Sequence, residues 1–184
     1  MSVKREAPMK TISQQLTQYA SYHRDRRNIA THFVGIPLIV VAVAALLSRP
    51  ALVVAGVTLS PAVLAIVGSV IFYLRMELRF ALVMAALMGL AGFAAAHMAA
   101  MSTGAWLTSS ITMFVVGWAF QFVGHFFEGK KPAFVDDIAG FLVGPLFVVA
   151  ELGFALGLRK ELHDEIVRGA GPTRARTERT AAAA

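Results

Sequence analysis

Gln121, His125 and Glu128 stand at offsets of four and three in an otherwise apolar stretch, which places all three on one face of a helix. Polar and ionisable groups at membrane depth are costly, and they commonly face a bundle interior, each other or a ligand. The plain alternative is helix-to-helix hydrogen bonding, with Glu128 at an interface ahead of Lys130 and Lys131. Asn28 and His32 form a second one-face pair, four residues apart. His23 lies nine residues before His32, so at about 100° per residue the two rings would point oppositely on one continuous helix. The run Arg24-Asp25-Arg26-Arg27 breaks that helix and removes the obstacle. Either imidazole alone reads equally well as an amphipathic side chain at headgroup depth. The chain has no cysteine, which excludes disulfides, thiolate metal sites, iron-sulfur clusters and cysteine nucleophiles. Any chemistry falls to His, Asp, Glu, Asn and Arg.

The elements that must position these groups are transmembrane. Of 184 residues, 57% are hydrophobic and 15% charged, and the mean hydropathy is +0.66, which excludes a soluble globule. No charge occurs at 28 to 48, 50 to 74 or 80 to 127, and 138 to 158 holds only Glu151. A crossing takes about 20 apolar residues, so these stretches predict five spans. They run over 28 to 48, 51 to 74, 80 to 101, 106 to 127 and 138 to 158, with a break at Ser102-Thr103-Gly104 and a kink at Ser60-Pro61. Asn28 is the expected N-cap of the first. Before it, residues 11 to 23 predict an interfacial helix: Thr11 with Gln14 matches a capping box, and Ile12, Leu16, Tyr19 and His23 share one face. The fold class is therefore all-α, a polytopic membrane helical bundle of about five transmembrane helices plus an N-terminal interfacial helix. Residues 1–169 form a single integral membrane domain, and 170–184, without apolar period, are expected to be disordered. The basic start is followed by a polar stretch, unlike a cleavable signal peptide. The net charge of +6 is concentrated at the two ends, where it meets anionic lipid; no recognisable nucleic-acid-binding fold accompanies it.

Five crossings bring His23, His32, His125 and Glu128 to the same membrane face. Three imidazoles and a carboxylate at one depth make a metal-ligand set, closer to the sites of non-haem iron enzymes than to structural zinc. His97 lies near the turn between the third and fourth spans, nearly a bilayer thickness away, and reads as a packing residue; His163 reads as solvated. In the loop that follows Glu128, Lys130 and Lys131 suit an anionic headgroup, Asp136 suits the outer hydrogen bond to a ligating histidine, and Asp137 suits a helix cap. A small transporter with an intramembrane polar relay is the rival class, suited by the kinked second span and by Glu151.

The pattern Tyr22-His23, Asn28, His32, Gly35-Ile36-Pro37-Leu38, then Trp118, Gln121-Phe122, Gly124-His125, Glu128, Pro132-Ala133, Asp136, Pro145-Leu146-Phe147 and Glu151 resembles the membrane 2-hydroxy fatty acid dioxygenase family. The match runs from about 19 to 162. The fungal member acts in the endoplasmic reticulum during phytosphingosine breakdown, so the resemblance implies a multi-pass protein of that membrane in eukaryotes and of the inner membrane in bacteria. It implies iron(II)-dependent α-oxidation, in which a 2-hydroxy long-chain fatty acid and O2 give the acid one carbon shorter. It also implies essential histidines, which by position are His23, His32 and His125, the same three that the topology brings together. A mechanism consistent with both lines makes these the metal ligands. Glu128 is then a further ligand or a base, and Asn28 and Gln121 are orienting partners. Arg24, Arg27 and Lys131 receive the acid headgroup, and Asp136 and Glu151 support the ligands from outside. A zinc-dependent membrane lipid hydrolase remains the chemical alternative. Oligomeric state is not legible in the sequence.

Overall fold

The computed structural model describes residues 10–133, 137 and 139–174. They form seven helices and one hairpin: α1 (Ile12–Ala20), α2 (Arg26–Ser48), β1 (Leu52–Val54), β2 (Val57–Leu59), α3 (Pro61–Leu74), α4 (Leu78–Ala99), α5 (Thr103–Glu128), α6 (Gly140–Ala155) and α7 (Lys160–Ala170). The expected capping box is present on α1: Thr11 Oγ1 accepts from Gln14 N at 3.3 Å, and Thr11 N donates to Gln14 Oε1 at 2.9 Å.

The N-cap of α2 is Asp25, three residues upstream of the expected Asn28, and its carboxylate accepts from Arg27 N at 2.9 Å. Either residue type caps a helix well. The earlier start releases the Asn28 side chain from capping and turns it inward.

Three helices, α2, α4 and α5, are long and apolar enough to cross a membrane, or up to four spans if the bent pair α6 and α7 counts as one. The expected five are reduced mainly at 51 to 74. There, Arg49-Pro50 closes α2, and Ala55 and Gly56 adopt positive φ (50° and 79°), the geometry of a tight hairpin turn between Val-rich strands. Ser60 then caps a fresh helix with Pro61 in its first turn, its Oγ accepting from Val63 N at 3.3 Å. The resulting α3 has 14 residues, about 21 Å of rise against a hydrocarbon core of about 30 Å. The uncharged length suggested a span; the turn residues inside it divide it. The chain nevertheless returns to the end from which α2 began, where Tyr73 Oη donates to Leu142 O at 2.8 Å. The expected fifth span is shortened to α6, 16 residues, and α7 bends away by 117°. At that bend Arg159 pairs with Glu77.

α2 is the central helix and packs most closely on α5, antiparallel to it. Trp106 Nε1 donates to Ala45 O at 2.9 Å at one end, and the rings of His32 and His125 lie 5.2 Å apart at the other. Close approach depends on glycine: a Cβ on Gly35 would sit 2.7 Å from Gly117 O, and one on Gly117 would sit 2.9 Å from Gly35 O. Leu16, Tyr19, Tyr73, Met84, Leu146, Phe147 and Ile166 belong to the main buried cluster, which gathers α1, α3, α4, α6 and α7. Many large apolar side chains face outward, Phe126 at 80% exposure among them, as expected of a surface turned to lipid.

Candidate metal centre

Three backbone segments deliver one imidazole each: the turn after α1 carries His23, the second turn of α2 carries His32, and the last turn of α5 carries His125. All three are buried, and each offers a ring nitrogen lying within 4.8 Å of the other two. Their ring centroids are 4.5, 4.9 and 5.2 Å apart. His23 Nδ1 donates to Tyr19 O at 2.7 Å, and His32 Nδ1 donates to Asn28 O at 2.8 Å. A carbonyl can only accept, so these contacts place the proton on Nδ1 in both rings and leave lone pairs on Nε2. The two Nε2 atoms face each other at 3.0 Å. Burial, together with the neighbouring His32 ring, holds His23 well below the ordinary histidine range, which keeps that lone pair free at neutral pH. Two acceptors turned toward each other at this distance can both bind one cation. The buried Nδ1 of His125 has no hydrogen-bond partner among the described residues. A set of three buried imidazoles, two with the tautomer fixed from outside by a carbonyl, fits a divalent transition-metal ion.

Tyr19 supports the cluster twice, through its carbonyl and through its ring, which stacks on His23 with centroids 4.2 Å apart and an interplanar angle of 5°. The shared face of Tyr19 and His23 was visible in the sequence, but not this division of labour.

Glu128 lies beside the cluster and is not one of the three converging donors. Its Oε2 accepts from Arg24 N at 2.9 Å, Asp25 N at 2.7 Å and Asn28 Nδ2 at 3.2 Å, and its Oε1 accepts from Arg174 Nη2 at 2.7 Å. The carboxylate thus ties the end of α5 to the backbone immediately after His23. Asn28 Nδ2 also reaches Tyr22 O at 3.2 Å, on the other side of the same histidine. Gly124 makes room for this, since a side chain there would collide with Asn28 and Thr31.

Gln121 lines a small cavity of about 70 Å³ with His32, His125, Ile36 and Trp118. Its buried Nε2 has no hydrogen-bond partner among the described residues.

The basic residues expected at a headgroup site sit elsewhere. Arg24 is buried, and it donates from Nε to His23 O and from Nη1 to Gly171 O, both at 2.9 Å, with Nη2 3.6 Å from Glu151. Arg27 grips Asp25 at 2.7 and 3.0 Å and stacks over Phe127 at 4.3 Å. Lys131 is exposed in the loop after α5. None of the three lines the cavity beside the histidines. Glu151 is the partner of Arg24, and Asp136 lies outside the described residues.

The start of the segment expected to be disordered, Gly171 to Arg174, comes back to the site. Arg174 N donates to Arg24 O at 2.6 Å, and Arg26 N donates to Arg174 O at 3.2 Å, a short parallel bridge beside His23. Its Gly-Pro-Thr-Arg sequence carries no apolar period, so nothing in the pattern announced this contact. Residues 175–184 lie outside those described.

This arrangement coincides with a family match. The model of the family described as "2-hydroxy-palmitic acid dioxygenase Mpo1-like" matches residues 9–156, a range that contains all three histidines, Gln121 and Glu128. The chain belongs to the Mpo1-like family. It is similar to the 2-hydroxy-palmitic acid dioxygenase MPO1 of Saccharomyces cerevisiae, with 31% identity over 153 residues, covering 82% of this chain and 84% of the yeast protein. No solved structure matches. Within this Mpo1-like chain the matched region ends with α6, so the α7 helix and the Arg174 contact lie beyond it.

Proposed function

We propose that this chain is a membrane-embedded, iron(II)-dependent dioxygenase that takes a 2-hydroxy fatty acid and O2 to the fatty acid one carbon shorter, with carbon dioxide and water balancing the equation. The name of the yeast relative supports the substrate class. The observation that carries the metal is the pair of Nε2 lone pairs facing each other at 3.0 Å, with the His125 ring alongside. His23, His32 and His125 would hold the ion. Iron(II) held there supplies the activation of O2, and the substrate itself supplies the electrons, so no 2-oxoglutarate is needed.

The protein's own groups do the rest. The carbonyls of Tyr19 and Asn28 hold protons on Nδ1 and keep both Nε2 atoms turned inward. Gln121 lines the cavity and its buried Nε2 has no partner among the described residues, so its side chain is available to donate to a carboxylate or hydroxyl oxygen of the acid. Ile36 and Trp118 line the same cavity and give it apolar walls. Glu128 is a positioning residue: it holds the backbone on which His23 rides.

One observation favours a competing assignment, a zinc-dependent lipid hydrolase. With Glu128 committed to four hydrogen bonds, the converging donors are all imidazole, a set that catalytic zinc sites also use. Metal analysis and one assay separate the two. Protein reconstituted anaerobically with iron(II) is mixed with a 2-hydroxy long-chain acid and O2, and mass spectrometry looks for the acid one carbon shorter. Its formation, abolished by chelation, is expected; a fully iron-loaded protein that forms none overturns the dioxygenase.

A further inference from the structure

The 70 Å³ cavity beside the histidines is too small for a lipid chain, but it is not closed. Ile39, Val40, Trp118, Phe141 and Pro145 form its far wall, and the same five residues begin a second cavity of about 460 Å³. That second space runs along α2 toward Val43 and Leu47 and is covered on the far side by Ala62 and Ala65 of α3. Its lining is apolar apart from the indole N–H of Trp118, at the end nearest the histidines, and the hydroxyls of Ser69 and Tyr73; Ser69 Oγ donates to Ala65 O at 2.7 Å and Tyr73 Oη to Leu142 O at 2.8 Å, so both hydroxyls are satisfied. Polarity is therefore confined to the histidine end, where Gln121 and the imidazoles lie, and falls away with distance from it. This is the polarity gradient of a fatty acid.

Length agrees. From His32 to Val43, eleven residues of α2 rise about 16 Å, and to Leu47 about 22 Å. An extended alkyl chain advances ~1.25 Å per methylene, given carbon–carbon bonds of about 1.5 Å at about 111°. The track thus passes Val43 after roughly a dozen methylenes and ends near Leu47 after roughly eighteen.

We propose that the groove between α2, α3, α5 and α6 holds the acyl chain of the acid, and that Val43, Leu47, Ala62 and Ala65 at its far end set the preferred chain length. The proposal rests on the dioxygenase reading for the headgroup, while the groove itself is defined by the residues above. A second apolar groove, about 270 Å³, lies on the α4 side of α2 and shares Ile36, Val40 and Pro145 with the histidine cavity, but lacks Trp118 and Phe141. It provides the control.

Trp118 lines both cavities, and the chain has only two tryptophans. In a Trp106→Phe background, Trp118 reports on the groove alone. Metal-loaded protein in nanodiscs, kept free of O2 so that nothing is consumed, is titrated with a sixteen-carbon 2-hydroxy acid brominated at mid-chain. Saturable quenching of Trp118, displaced by the unbrominated acid, is expected. Ala65→Phe and Val43→Phe should each weaken displacement by the sixteen-carbon acid at least about tenfold, the loss expected when two methylenes are denied burial. Displacement by the ten-carbon acid should stay within about twofold, because that chain ends before the block. Ala65 and Val43 are both exposed to the groove, so neither change burdens the core. Leu87→Phe, in the control groove, should change neither. The proposal is overturned if no acid quenches Trp118, if both block variants leave the chain-length profile unchanged, or if Leu87→Phe shifts it instead. Turnover separates the two layers. A shifted binding profile without product upholds the groove and removes the dioxygenase; product whose chain-length range ignores both variants does the reverse.

Discussion

The two ends of the α2–α5 pair are both fastened by polar side chains, and they differ in what is left over. At one end Arg49 donates to Ala99 O at 3.2 Å, Met101 O at 2.6 Å and Thr103 Oγ1 at 2.7 Å, and its guanidinium stacks on Trp106 at 4.4 Å. Trp106 in turn reaches Ala45 O. Every polar contact there is an internal one, and the result is a clasp. At the other end Glu128 makes an equally complete clasp, but beside it lie two facing Nε2 atoms, the Nδ1 of His125 and the Nε2 of Gln121, all short of partners. Buried polar groups in folded proteins are nearly always satisfied, and leaving one unpaired costs about 1–3 kcal/mol. One end of the pair spends its polar atoms on holding helices together; the other leaves several without a partner among the described residues.

Changes to each end test that contrast. The largest effect is expected from His32→Ala or His125→Ala, which should reduce bound metal and product to below detection while circular dichroism and detergent elution stay unchanged. His97→Ala is the control, since that ring is exposed on α4 and bonds only its own helix at Phe93 O, 2.9 Å away. Retained turnover in the first pair would erase the difference between the two ends. Glu128→Gln comes next. It keeps the shape but puts an NH2 group against donors, and metal affinity measured by chelator competition should fall about 10- to 100-fold, as for other outer partners of metal-binding histidines. Arg49→Met should behave in the opposite way, costing about 1–3 kcal/mol in denaturant midpoint while metal content and turnover per folded molecule are unchanged. A loss of metal in Arg49→Met would show that the clasp and the site are one unit.

The smallest effect belongs to Asp137, where α1 meets the start of α6. Ala139 N and the Lys10 and Gln18 side chains hold its carboxyl below the ordinary value of 3.8. A depressed carboxyl stabilises the fold above its unfolded value, and that contribution is lost as pH falls through the folded one. Asp137→Asn should therefore lower stability at neutral pH by less than about 1 kcal/mol, and the gap to the unsubstituted protein should close below pH about 3.8. A gap that persists in acid would mean the side chain acts through shape and not charge.

Much of this was legible in the sequence. Capping of α1 rests on two residues three apart, and α4 and α5 on long uncharged stretches broken by Ser102-Thr103-Gly104, so local patterns suffice. The meeting of His23, His32 and His125 followed from the parity of crossings, and it survives although the 51 to 74 stretch is a hairpin and a short helix, because the chain still returns to the starting end. Hydropathy counts carbon atoms and is blind to the left-handed turn at Ala55-Gly56, which is why one long span was expected there. The contacts of the arginines were not legible for a related reason. Arg24 and Arg27 have the charge to receive an acid, but most of their donors are turned to Asp25 and two carbonyls, while Arg24 Nη2 lies 3.6 Å from Glu151 without a hydrogen bond, and a partner distant in sequence leaves no trace in local spacing.

The parallel bridge between Asp25 and Arg174 also sets an order of events during synthesis. His23, His32 and His125 are all polymerised well before Arg174, so a growing chain holds its three imidazoles for some time with the turn that carries His23 fastened by Glu128, Asn28 and Lys130 but not yet by Arg174. The last strut arrives only when residue 174 has been made. A chain stopped between residues 128 and 174 would therefore keep the proposed ligand set and lack one of its supports.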